Sequence, residues 1–477
     1  MLTPTGRIQA RLKSHANPRL PNMKSLNIRS LAFALLSLTV SAPSLRAANV
    51  GVTVGSNFFA PQSVRINLGD TVVWTWSSGT HSVTSDTGAW DSGVKSTPAN
   101  FSHQFNNAGD FPYYCSVHSS AGGSAQNGVV HVQATDSVPS NEKVTQVNLV
   151  SDLAGHAPRV NTKIVNPWGI LSGPEGIWVA ENGKGALSEL NAAGVALTSL
   201  TVPGAGGSTN ASPPTGLAWN KTSDFVITNG TKHAPSEFIF ATEDGTVGGW
   251  SRRVNAKSPI VVFDNSSSGA VYKGIALAKG TNGNLIFAAN FHAGVVDVLD
   301  RHFQPVQSFT DPALQALGFA PFNIRPINGK LFVTFAAQKL PDRHDDQSGP
   351  GNGYIDIFDT DGTLLRAFAS QGSLNSPWGL VVAPSHFGKF SHALLVGNFG
   401  DGTINAYDLI TGQNLGSLKD ATGVPVAISG LWGLEFDRQA NEGFFDFEAT
   451  RLYFTAGING ESDGLFGFLR AVNPFSR

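Results

Sequence analysis

One pattern recurs six times along this chain and constrains its architecture more than any other feature. Copies open at Asn166-Pro167-Trp168-Gly169-Ile170, Pro214-Thr215-Gly216-Leu217-Ala218, Tyr272-Lys273-Gly274-Ile275-Ala276, Pro321-Phe322-Asn323-Ile324, Ser376-Pro377-Trp378-Gly379-Leu380 and Gly430-Leu431-Trp432-Gly433-Leu434. Each leads through a turn to a second apolar strand ending on a small or amide residue, as in Ile177–Asn182, Phe225–Asn229 and Leu285–Asn290. A Gly-containing turn and a third strand follow. Units spaced by about 47–59 residues suit four-stranded blades, each of which must stack on its neighbours to bury its apolar face. The repeats predict a six-bladed β-propeller over 144–471. Gln146-Val147-Asn148-Leu149-Val150, ahead of the first unit, is placed to pair with the last blade and close the ring, which removes exposed sheet edges.

Upstream, strand-like runs at Val50–Val54, Ser63–Asn67, Thr71–Trp76, His81–Thr84, Phe101–Phe105, Gly109–Cys115 and Gly128–Gln133 are separated by Gly, Pro, Asn and Asp. So many short strands in so few residues predict a β-sandwich at 49–135. The polar stretch around 136–143 lacks strand alternation and reads as a linker. With 53 Gly, 26 Pro and only 14% charged residues, the expected class is all-β, a sandwich followed by a propeller.

Residues 1–48 carry Arg7, Arg11, Lys13, Arg19, Lys24, Arg29 and Arg46 and no acid, then the apolar run Leu31–Val40 and small residues at Ala47 and Ala48. This is the layout of a signal peptide cleaved near Ala47 or Ala48, with Met23 as an alternative start. The run is short for a membrane span, and none is expected in the mature protein. A periplasmic or secreted location follows. Removing those seven positive charges takes the formal charge from −2 to −9, and no long basic run survives, so nucleic acid is not an expected partner. Methionine occurs only at positions 1 and 23, which leaves the mature chain with none.

Cys115 is the only cysteine. A lone thiol in an exported protein has no intramolecular disulfide partner, and this one sits in Phe111-Pro112-Tyr113-Tyr114-Cys115-Ser116-Val117-His118, with His81 on an upstream strand. Taken singly, each of these residues reads as an ordinary core or strand residue; taken together, they have metal-ligand spacing. The runs Phe59-Ala60-Pro61, Ile66-Asn67-Leu68-Gly69-Asp70-Thr71-Val72-Val73-Trp74, His81-Ser82-Val83, Asp91-Ser92-Gly93 and Gly109-Asp110-Phe111-Pro112-Tyr113-Tyr114-Cys115 resemble, in order, the plastocyanin-type cupredoxins. That resemblance covers essentially the whole sandwich and implies one type 1 copper site, with His81, Cys115 and His118 in the ligand plane. A soft thiolate with two imidazoles holds both Cu(I) and Cu(II), which suits electron transfer. Members usually place an axial methionine two residues ahead of the glycine that opens the last strand. Here Gln126-Asn127-Gly128 puts Gln126 in that place, and a harder oxygen donor implies a lower reduction potential. His103 and His131 alternate onto the surface and receive no role.

The propeller half resembles a family of exported bacterial proteins of unassigned function, through stretches such as Phe238-Ile239-Phe240-Ala241-Thr242-Glu243-Asp244-Gly245 and Val396-Gly397-Asn398-Phe399-Gly400-Asp401-Gly402. Blade geometry would gather Trp168, Phe322, Trp378 and Trp432 near Glu181, Asn182, Asn229, Asn290 and Asn398 at one channel mouth, where a small-molecule ligand is best placed. The simpler reading has the aromatics packing blade against blade and the amides capping turns. His233, His292, His344 and His386 fall at non-equivalent places, which argues against a metal cluster there. The leading function is an electron carrier with a redox partner protein. The alternative is a propeller-based enzyme, either an oxidoreductase or a calcium-dependent lactonase-like hydrolase using Glu181, Asn229 and Asn290, with the sandwich as electron relay.

Overall fold

The computed structural model describes residues 49–123, 125–133, 142–173, 175–384, 387–436 and 451–472; the expected signal peptide, most of the expected linker and His386 lie outside them. Among the described residues, no helix is long and apolar enough to cross a membrane. Nearly all regular structure among the described residues is strand, with one short α-helix at Pro312–Ala316.

Two four-stranded sheets make the sandwich. One runs Phe58–Ala60, Asn49–Gly55, Thr71–Trp76, Asn100–Gln104; the other runs Ser63–Asn67, Asn127–Gln133, Gly109–Tyr114, Thr84–Ser85. Alternation decides which side chains go in. Val72, Trp74 and Trp76 are buried on one strand, and Tyr113 and Val130 on the facing sheet, so the inner faces share one core. The expected strand at His81–Thr84 is two short pieces, Thr80–His81 and Thr84–Ser85, paired to different partners. That break frees the intervening backbone at Ser82 to face Cys115.

Six further sheets form the propeller. Blade 1 is Pro167–Ser172, Ile177–Glu181, Ala186–Leu190 and Ala196–Thr201, and blades 3, 4 and 5 repeat this order of four consecutive antiparallel strands. Blade 6 is closed as expected: Val144–Ser151, the first strand of the propeller, pairs antiparallel with Leu465–Ala471, the last. Blade 2 departs from expectation. Its second strand is Phe238–Thr242, whereas Val226–Asn229 pairs with Lys232–Pro235 in a separate hairpin inserted after the inner strand. The inserted segment alternates like a blade strand because Phe225 and Ile227 anchor it in the neighbouring core, while Asn229 stays exposed.

Inner strands pack side by side around the axis, which explains the repeated glycine. A Cβ on Gly169 would lie 2.3 Å from the Thr215 carbonyl oxygen, and one on Gly216 would lie 2.7 Å from the Ile275 nitrogen. Five blades keep glycine there. Blade 4 has Asn323, whose amide instead bonds the Trp378 carbonyl at 2.8 Å and spans to the next blade.

Candidate metal centre and propeller axis

At one end of the sandwich three side chains face one another. Cys115 Sγ lies 3.3 Å from His118 Nδ1 and 3.7 Å from His81 Nδ1, and the two Nδ1 atoms are 3.2 Å apart. All three atoms fall within 4.8 Å of one another. Rigid backbone holds them. The Cys115 amide is fixed by the Gln126 carbonyl, while His118 turns back because its own N–H bonds the Cys115 carbonyl at 3.0 Å. Ser82 stitches the two contributing loops together: its hydroxyl accepts from the Ser116 N–H at 2.8 Å, and its N–H points at Cys115 Sγ from 3.4 Å. Trp76 Nε1 donates to the His81 carbonyl and locks that residue from behind.

Cys115 and His81 are buried and His118 is exposed, so the centre has a closed side and an open one. Burial, and then the neighbouring His118, hold the His81 pKa below its ordinary value, against a smaller opposing pull from Gln126 and the Ser78 backbone. A neutral imidazole is the form that can donate its lone pair.

Gln126, the expected fourth ligand, is buried, and its backbone carbonyl accepts from the Cys115 N–H at 3.0 Å. Its Nε2 donates to the carbonyls of Gly55 and Phe58, each at 3.0 Å, which fixes the amide's orientation. Its Oε1 is therefore turned away from both carbonyls, and it is buried without a hydrogen-bond partner. A buried acceptor with nothing to accept is costly. Two imidazoles, a thiol sulfur and an amide oxygen are lone-pair donors, and a soft or borderline cation satisfies such a set better than any shared proton.

On the propeller axis, residues in register on successive inner strands are Trp168, Thr215, Lys273, Phe322, Trp378 and Trp432. The aromatics do gather, largely blade against blade around the closed ring. Trp168 stacks on Trp432 at 3.6 Å, Phe399 stacks on the same ring at 4.0 Å, and Trp378 meets both tryptophans edge-on. They are at most 4% exposed, apart from partly buried Phe399, so they plug that end of the channel instead of lining an open pocket.

Lys273 and Glu243, which sequence reasoning missed, are the charged members of this layer. Glu243 follows the second strand of blade 2 as Asn182 follows that of blade 1, a correspondence hidden by the inserted hairpin. The Lys273 ammonium pairs with Glu243, sits 3.7 Å from Asp345 and lies 4.9 Å above the Trp168 ring. Asn182 donates to the other Glu243 oxygen at 2.7 Å. Burial pushes the Glu243 pKa up, but the Lys273 charge together with the Lys273 and Asn182 hydrogen bonds outweighs it, and the net shift is downward. His344 is less isolated than its position suggests, since it bonds Asp345 at 2.9 Å beside this pair. Glu243, His344 and Asp345 come close enough to hold a metal ion, but the Lys273 ammonium already serves as the cation among these carboxylates.

The other mouth residues are not brought together. Asn290 and Asn398 cap turns within their own blades, Asn290 through Asp297 and Asn398 through Thr403 and the Ser373 carbonyl. Asn229 is on the exposed hairpin. Glu181 is wholly buried, both its oxygens lack hydrogen-bond partners, and burial pushes its pKa up to about 8.

No family model matches the chain. The uncharacterized protein R648 of Acanthamoeba polyphaga mimivirus is 32% identical over 329 residues, which cover 67% of this chain and 78% of the viral protein. An alignment that long runs through the propeller, because the sandwich is far shorter. Among solved structures, virginiamycin B lyase from Staphylococcus aureus aligns over 69% of this chain and 99% of its own, with 12% identity and a TM-score of 0.41. A purple cupredoxin from Nitrosopumilus maritimus aligns over 18% of this chain and 99% of its own, with 25% identity and a TM-score of 0.16.

Proposed function

Because this chain belongs to the family of the mimivirus protein R648, a membership that names no reaction, we propose its function from the chemistry of the sandwich. It is an exported one-electron carrier in which His81, Cys115, His118 and Gln126 hold a single copper ion. The observation that carries this reading is the convergence of two imidazole Nδ1 atoms and one thiol sulfur, with the unpartnered Gln126 oxygen in the same end of the sandwich. When bound, copper supplies one-electron exchange between Cu(I) and Cu(II).

The surrounding residues support that chemistry. The Ser82 N–H stabilises negative charge on Cys115 sulfur, and the interlocked loops resist the movement that a change of oxidation state would otherwise drive. Exposed His118 gives the centre an edge at the surface. Val117 beside it and Phe58, whose carbonyl holds Gln126, are exposed apolar residues suited to docking a redox partner protein. The propeller then acts as the binding module of an exported protein.

Adding Cu(II) to the purified protein is expected to produce an intense visible charge-transfer band, and Cys115→Ala is expected to bind without colour. A native protein that stays colourless, or a C115A variant that colours equally, would remove the proposal. Gln126→Met replaces a hard donor with a soft one and should raise the reduction potential by roughly 59 mV for each tenfold loss of preference for Cu(II). Potentiometry showing no rise in Q126M would take the axial role away from Gln126.

A further inference from the structure

Below the aromatic plug the channel opens into a cavity of about 370 Å³ at the end opposite Glu243 and Lys273, and all six blades contribute to its wall. The size suits a small organic molecule. Inner strands are hydrogen-bonded along one edge only, so their free edges border this space, with partly buried Leu217 and Leu277 beside them, while Ile170 and Leu380 turn into the cores between blades. One charged pair stands in the wall. Arg325 Nη2 donates to Glu435 Oε2 at 2.8 Å; Glu435 is 9% exposed and Arg325 is 34% exposed. Glu435 thus takes up one guanidinium nitrogen and orients the group, and Arg325 itself lines the cavity. A guanidinium held in place this way is suited to a planar, bidentate anion. Lys221 at the rim adds a second positive charge on the approach.

We propose that this lower channel is a binding site for a small monocarboxylate with an apolar body, its carboxylate on Arg325 and its body against partly buried Leu217, Trp219 and Leu277. The site is independent of the metal centre. Trp219 and Trp378 line the cavity, which provides a readout: a bound ligand should alter intrinsic fluorescence.

The test titrates the full chain, free of copper, with benzoate and with its uncharged analogue benzamide, following tryptophan fluorescence and calorimetry. Benzoate should saturate, and benzamide should bind at least about tenfold more weakly, because it lacks the charge that Arg325 recognises. Arg325→Gln should lose benzoate binding, and Arg325→Lys, which keeps the charge but not the fork, should weaken it by about tenfold. The lysine variant serves if the glutamine variant fails to fold. Three outcomes overturn the proposal: no saturation with benzoate up to about 20 mM, equal affinity for benzoate and benzamide, or wild-type affinity in folded R325K.

Discussion

Replacing Glu181 with glutamine should leave stability almost unchanged near pH 4.5 and raise it by up to about 5 kcal/mol at pH 8.5. In the native protein this carboxyl is wholly buried, has no hydrogen-bond partner, and is pushed by burial from an ordinary 4.5 to about 8, against weaker pulls from Ser188, Lys163 and Lys184. The sign follows from proton counting. Below pH 4.5 the group is protonated in both the folded and the unfolded chain and contributes no pH dependence. Between 4.5 and about 8 the unfolded chain has lost the proton that the folded chain keeps, so stability falls by about 1.4 kcal/mol per pH unit. Above 8 the penalty is complete and constant. Asp356, buried beside Asp311 and pushed up to about 7, acts with the same sign from 3.8 upward, so Asp356→Asn should flatten the lower part of the profile. Urea unfolding of wild type and E181Q at pH 5 and pH 8.5 decides the matter. An equal difference at both values would mean that the Glu181 carboxyl is not held protonated by the fold.

That carboxyl also marks where sequence reading stops. Glu181 ends a blade strand in the place where other blades carry Thr242, Asn290 and Asn398, so repetition alone puts it at a channel mouth. Its complete burial is a property of the folded ring, and no local pattern reports that. Blade number and ring closure were legible because each depends on a short local signal: an inner strand with its glycine, and one spare strand ahead of the first repeat. The centre in the sandwich was legible for a similar reason. Cys115 and His118 are three residues apart in one turn, so a single partner on a neighbouring strand, His81, completes the set. Blade 2 was misread because its inserted hairpin imitates a blade strand up to the terminal asparagine. With that register wrong, Glu243 lost its equivalence to Asn182, and Lys273 was not seen as the one cation among aromatic equivalents. The aromatic layer was legible in kind, since rings of one repeat position do pack blade against blade, Trp168 and Trp378 each on Trp432, while Trp168–Trp378 and Phe322–Trp432 reach over one intervening blade.

Removing the Lys273 ammonium should cost about 3–5 kcal/mol of propeller stability, because it leaves Glu243 buried and uncompensated. The pair is well enclosed: the Lys273 side chain is 3% exposed and that of Glu243 is 12% exposed. Lys273 also contributes its ammonium to the face of Trp168 and its carbonyl to Trp378 Nε1 at 3.0 Å, so its charge sits inside the layer that plugs the axis. Lys273→Met keeps the length and most of the apolar stem while deleting the charge. Two companions make the cause legible. Adding Glu243→Gln to K273M should recover most of the loss, since a neutral amide can still meet Asn182 without the cost of an isolated charge. Lowering the pH should also stabilise K273M relative to wild type, because Glu243 without its partner takes up a proton more readily than the native carboxylate, whose pKa Lys273 holds down. Urea unfolding of the single and double variants at two pH values measures all three effects. If copper binds as proposed, its visible band serves as an internal check that the sandwich is intact. If K273M alone is as stable as wild type, or if E243Q fails to rescue it, the charged pair is not what locks the aromatic layer, and the stacked rings hold the axis closed by themselves.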